Sequence, residues 1–190
     1  MSRITATIIA SLAIAAPAFS ADTWTVDAVH SAALFKVQHM GAGFSYGRFN
    51  KIAGTVTTDA DATKNAVSIT IAADSVDTAN TQRDDHLKGD AFFNVKQFPE
   101  ITFVSTAWTA AGADTWTVTG NFTLRGVTKP VTATVRKTGQ GKAPPQMGGK
   151  DLIGYETSFA IKQTDFGMKY GIPAALSDDV TIILSVEATK

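Results

Sequence analysis

The chain contains no cysteine, which removes disulfides, thiolate metal sites and cysteine nucleophiles together. It has no excess of charge of one sign, with Lys+Arg and Asp+Glu numbering 17 each. No net field therefore recruits nucleic acid or an anionic membrane, and a neutral surface suits a small or apolar partner. Beyond the N-terminus no stretch is long and apolar enough to cross a bilayer, so stable membrane insertion is not expected. Metal patterns of the H-x-x-x-H, HExxH or Cys-based kind are missing. There is no internal repeat, and one domain accounts for the length.

Arg3 supplies a basic start, Ile4–Ala16 is an uncharged apolar run, and Pro17–Ala21 is rich in small residues. This is the pattern of a secretory signal peptide, too short to span and followed by a cleavage-type segment. Ala18-Phe19-Ser20 places cleavage after Ser20, with Ala18 as the other site, so residues 1–20 are read as signal and 21–190 as the folded domain. No cysteine follows the apolar run, which excludes lipoprotein attachment. An exported chain without disulfides must draw its stability from the sheet itself.

Strand patterns dominate that domain. In Ser31–His39, Phe35, Val37 and His39 share one parity, against Lys36 and Gln38. Val67, Ile69 and Ile71 alternate with Ser68 and Thr70. Ile101 and Phe103 flank Thr102, while Trp116, Val118, Gly120, Phe122 and Leu124 alternate with Thr and Asn. Val131–Val135, Tyr155–Ile161 and Val180–Val186 continue the pattern. Successive strand side chains point to opposite faces, so each strand has one wet, Thr-rich face and one apolar face. This is antiparallel sheet with one side in water. The spacing gives an all-β fold of about eight strands, a sandwich or a barrel. Small inward residues (Ala33, Ala73, Ser105, Gly120, Ala133) fit either close sheet packing or an interior with space. Thr81–Lys88 is predicted helical, capped by Asn80 or Thr81 and closed by Gly89, and Asp90–Asn94 is read as a further short helical turn capped by Asp90. Lys137–Asp151, rich in Gly and Pro without hydrophobic periodicity, is predicted to be a loop.

The segment Arg83–Phe103 carries the most information. Arg83, Asp84 and His86 stand beside Leu87, Phe92, Phe93 and Phe98, a wet end and an apolar end suited to a pocket mouth. Arg83 can fork a carboxylate or phosphate, or pair with an Asp to pin the helix. The three histidines do not make a metal set by spacing. His30 and His39 differ by an odd number of positions, and Asp84 and His86 do not share a helix face. Ser31 beside His30 is no nucleophile elbow, and Asp84-Asp85 splay rather than face each other, so no catalytic constellation is read. Asp165–Met168 (DFGM) matches a kinase triplet by accident and reads as a turn.

His30-Ser31, His39, Tyr46–Phe49, Ser75–Thr78, Arg83–Leu87, Phe98-Pro99, Gly126–Val131 and Asp165–Met168 occur in an order and spacing that resembles the YceI-like family of periplasmic lipid- or polyisoprenoid-binding proteins. The resemblance covers nearly all of the domain. It implies a lipocalin-like antiparallel barrel with a helical segment near its mouth, a periplasmic location and a long apolar ligand. With no metal set and no catalytic constellation in the residues, no enzyme activity, cofactor or metal is expected. The parity pattern then assigns Phe35, Val37, Ile69, Ile71, Phe103, Phe122, Phe159 and Ile161 to an apolar tunnel, and Phe92, from the apolar cluster after the helix, joins the ligand-binding set. His39, Arg83 and His86 fall at its mouth, facing the head group of an isoprenoid or fatty-acid-like lipid. The other reading is a ligand-free structural or stress-response protein acting through its surface. An exposed strand edge would favour a homodimer.

Overall fold

The computed structural model describes residues 21–190; the predicted signal segment lies outside them. Eleven strands and one α-helix follow in chain order. They are β1 (Asp22–Val26), β2 (Ala32–His39), β3 (Gly43–Phe49), β4 (Ile52–Thr58), β5 (Ala66–Ala72), β6 (Val76–Asp77), α1 (Thr81–Lys88), β7 (Glu100–Gly112), β8 (Thr115–Leu124), β9 (Val127–Lys142), β10 (Asp151–Lys162) and β11 (Leu176–Thr189).

All strand pairings are antiparallel. The order β1-β4-β5-β7-β8-β9-β10-β11 returns to β1, closing a ring of eight strands. The choice between sandwich and barrel is therefore settled as a barrel. β11 pairs with β1 at Thr189 and Ala188 and with β2 from Ser185 to Leu176. Thus β2 takes over the place of β1 along that edge, and β3 and β6 extend the wall beyond it. β9 and β10 pair from Lys142↔Asp151 to Val135↔Thr157. Past that point the ladder ends with Thr157 Oγ1 donating to Thr134 O, and residues 127–133 of β9 have no ladder partner on that side among the described residues.

The alternating residues named above face inward. Ile69, Ile71, Ile101, Phe122, Ile161, Val180 and Leu184 are buried in one large cluster, while Trp24, Val56, Ile153, Tyr155 and Ala188 form a second cluster at the far end. Two inward glycines admit neighbouring rings. A Cβ on Gly47 would fall 2.3 Å from Phe35 Cζ, and one on Gly120 would fall 2.4 Å from Phe103 Cζ. Small inward residues here receive large ones from the adjacent strand, as close packing requires.

Two local expectations are corrected. Residues 137–142 are not loop but the end of β9, laddered to β10 through Gln140↔Ile153 and Gly141↔Leu152. That stretch is exposed, so its pairing leaves no hydrophobic period; periodicity reports burial and not the ladder itself. Asp90–Asn94 forms turns and no helix. Phe92 and Phe93 pack against different partners, Phe92 on His86 and Tyr170, Phe93 on Phe35 and Phe49. A left-handed Asn94 (φ 47°) bends the chain there. Asp165–Met168 does form the expected turn, at the end of a 3₁₀ segment, and buries Met168.

Candidate functional site

The barrel end that carries α1 encloses a cavity of about 380 Å³, within the range of small-molecule sites. Of the residues assigned to the ligand by parity and position, Phe35, Val37, His39, Ile71, Arg83, His86, Phe92, Phe122 and Ile161 line it. Ile69, Phe103 and Phe159 do not. They line a second, smaller cavity of about 60 Å³ further along the barrel.

Strand β2 brings Phe35 and Val37 inward and ends with exposed His39 at the rim. Phe35, Phe49 and Phe93 meet with ring centroids 5.4–6.3 Å apart, in tilted and edge-on arrangements favoured by the ring quadrupole. This trio joins β2, β3 and the post-helix loop into one wall. A second trio stands at the mouth: His86 lies 5.0 Å from both Phe92 and Tyr170, edge-on, and Phe92 lies 5.5 Å from Tyr170. Arg125 holds this loop from the barrel side, its Nη1 donating to the carbonyls of Asp90 and Phe92.

Helix α1 is placed by its N-terminus. Asn80 Oδ1 accepts from Arg83 N at 2.9 Å, the capping expected of an Asn in that position. The Arg83–Asp pair weighed above is not found. Arg83 Nε donates to Thr78 Oγ1 and its Nη2 to Thr78 O, both at 2.7 Å. Asp84 Oδ1 instead accepts from Thr78 N at 2.8 Å and Thr78 Oγ1 at 2.6 Å. The Thr78 hydroxyl relays between acid and base, so Asp84 has no need of the guanidinium. Thr78 pins the helix to the end of β6, leaving Nη1 of Arg83 with no protein partner among the described residues.

Among the described residues no Asp or Glu lines the cavity, and Gln163, the buried polar residue in its wall, gives its Nε2 to Ser177 O at 2.8 Å. Gly43-Phe44-Ser45-Tyr46-Gly47 has the letters of a nucleophile elbow, and Ser45 faces the cavity. It sits mid-strand, opposite Val37 in the β2–β3 ladder. A working elbow needs a sharp strand-to-helix turn and a hydrogen-bonded base. Chemically, the arrangement can bury an apolar molecule behind a rim carrying the His86–Phe92–Tyr170 trio, the Arg83 guanidinium and His39.

His30 is not with the other histidines. It stands before β2, where its Nδ1 is 3.0 Å from Asp27 Oδ2 and 3.7 Å from Glu187 Oε1. The hydrogen bond to Asp27 raises the His30 pKa and, reciprocally, lowers that of Asp27. Their ligand atoms lie within 4.8 Å of one another, yet the cluster is solvated and satisfied internally. Sequence spacing could not reveal it, because Glu187 arrives from β11. The same holds for Phe49, Met168 and Tyr170 in the cavity wall. Their spacing along the chain does not announce a shared chamber, and only barrel closure brings them together. In the far cluster, burial pushes the Tyr155 hydroxyl up to about 12, with the Asp114 charge adding to it. Trp108 Nε1 there is a buried donor with no partner among the described residues.

A closed antiparallel barrel with an apolar chamber opening beside a short helix is a barrel of lipocalin-like build. The chain belongs to the YceI-like domain family, which matches residues 24–188. It is 41% identical over 162 residues to a UPF0312 protein of Pseudomonas aeruginosa, covering 85% of this chain and 82% of that one. Among solved structures it is similar to Burkholderia cenocepacia BcnA, with a TM-score of 0.78, 26% identity, and coverage of 86% of this chain and 99% of that one. It shares its fold with a polyisoprenoid-binding domain from Saccharophagus degradans implicated in plant cell wall breakdown, with a TM-score of 0.66, 16% identity and coverage of 87% and 97%.

Proposed function

We propose that this protein binds the apolar chain of a lipid, isoprenoid or fatty-acid-like, in the chamber beside α1 and carries it through the periplasm after export. The observation that carries this reading is the cavity of about 380 Å³, walled mostly by aliphatic and aromatic side chains, with no carboxylate in its lining and its charged side chain, Arg83, beside α1. Each methylene moved from water into such a chamber contributes ~0.8 kcal/mol, so a dozen would bind tightly with few polar contacts. A free lipid chain aggregates in water, which supplies the physical reason for a carrier. The polyisoprenoid-binding domain that shares this fold supports the ligand class. His39, Arg83 and His86 are assigned to the head group. The basic start and apolar run of residues 3–16 support export. At residues 127–133 of β9, an edge that β10 leaves unpaired, Lys129 and Pro130 oppose pairing into a homodimer by strand addition.

Native mass spectrometry and organic extraction of the protein isolated from its own periplasm test the reading. A co-purifying long-chain lipid and an N-terminus near Ala21 are expected. Lipid-free protein that takes up no added isoprenoid would favour the surface-acting reading. Full-length chain in the membrane fraction would defeat export as a free carrier. Light scattering decides the oligomeric state.

A further inference from the structure

The apolar interior is interrupted. The cavities of about 380 and 60 Å³ share no lining residue, and the change from one to the other falls at the same level on strand after strand. On β5 it lies between Ile71 and Ile69, on β7 between Ile101 and Phe103, on β10 between Ile161 and Phe159, and on β11 between Ile182 and Leu184. Each is a step of one inward position. Three phenylalanines occupy that level. Phe122 and Phe159 meet edge-on with centroids 5.9 Å apart, and Phe103 sits opposite Phe122 in the β7–β8 ladder. The Phe103 ring fills the space that a side chain at Gly120 would need. Phe159 stands just past the point where β9 and β10 part, so a ring closes the section that the ladder leaves unpaired.

Resting on the lipid-chain reading above, we infer that Phe103, Phe122 and Phe159 form a floor that sets the length of chain the protein accepts, with Phe159 as the specificity-determining side chain. A chain entering past the α1 rim gains affinity for each methylene it buries until it reaches this layer. Further carbons stay outside or fold back. Shortening Phe159 joins the two chambers and lets a longer chain continue toward Tyr155.

The test titrates delipidated protein with isoprenoid alcohols of two, three and four units: geraniol, farnesol and geranylgeraniol. Burial adds ~4-fold in affinity per methylene, so an unobstructed tunnel would gain ~10-fold or more with each unit. In the wild type we expect that gain from geraniol to farnesol and a change within ~2-fold from farnesol to geranylgeraniol. Phe159→Ala should restore a gain of ~10-fold for the longest alcohol, and Phe159→Leu, which keeps more of the core filled, should shift the preference the same way by less. The leucine variant keeps the test open should the alanine variant fail to fold. A wild type whose affinity keeps rising to geranylgeraniol overturns the floor, as does a folded variant with the wild-type length profile. Failure of the wild type to bind any of the three alcohols overturns the lipid-chain reading and the floor with it, an outcome distinct from the other two.

Discussion

Gly47→Ala tests the cavity wall with a single methyl group. Gly47 is buried, faces Phe35 across the β2–β3 ladder and lacks a left-handed φ, so alanine meets no backbone penalty there. The new Cβ would lie 2.3 and 2.6 Å from two atoms of the Phe35 ring and 2.9 Å from Thr78 Cγ2. Ordinary contact is well over 3 Å, so the ring must retreat by about 1 Å. Phe49 and Phe93 pack on Phe35, and the open direction is the cavity. Overpacking costs ~1–3 kcal/mol, while replacing glycine stabilises by ~0.4–1 kcal/mol through the unfolded chain. The net loss is ~0.5–2 kcal/mol, a fall in Tm of about 1–8 °C for a domain of this size. A ring intruding by the space of one or two methylenes should also weaken farnesol binding by ~4- to 16-fold. Calorimetry and a fluorescence titration read the two effects. Adding Phe35→Leu should relieve both, giving a coupling of about 1 kcal/mol or more in a double-mutant cycle. Additive changes, or a Gly47→Ala protein with wild-type Tm and affinity, would refute this account of the wall.

Other outcomes follow from the rim and the far end. The raised His30 pKa gives stability that is complete below its ordinary value of 6.5 and lost as pH rises through the folded value; the lowered Asp27 pKa gives stability lost as pH falls through that group's folded value, below 3.8. The wild-type Tm minus that of His30→Gln should therefore shrink as pH rises above 6.5, and a pH-independent difference would show that the Asp27 contact is idle. Arg83→Lys keeps the charge but loses the fork on Thr78, so it should cost about 1 kcal/mol and weaken binding of a fluorescent isoprenoid nearly as much as Arg83→Ala. Unchanged affinity per folded molecule in both would remove Arg83 from the head-group site. Trp108→Phe discards the unpartnered Nε1 donor, offsetting part of its lost packing by the ~1–3 kcal/mol desolvation penalty. Denaturant unfolding should find a net loss below ~1 kcal/mol, and a loss above ~3 kcal/mol would mean that the N–H is bonded.

What the amino-acid sequence determined by itself was local and two-fold periodic. Phe35 and Val37, Ile69 and Ile71, and Phe122 and Leu124 each announce an inward face through alternation, because a strand has no other way to bury one side. Asn80 before a short helical run was readable for the same reason: a cap is made within one turn. Parity names the face but not the height along the barrel. Whether Ile69 and Ile71 share a chamber depends on the stagger of β5 against β7 and β10, a property of closure between strands far apart in the chain. That is why Phe103 and Phe159, read from the sequence as part of one tunnel with Phe122, proved to line a second cavity. Residues 137–142 give no strand signal in the sequence because their ladder is solvated and leaves no hydrophobic trace. The partner of Arg83 was equally out of reach. A salt bridge and a grip on Thr78 use the same residue types, and only the fold, by setting β6 against α1, decides which donor meets which oxygen.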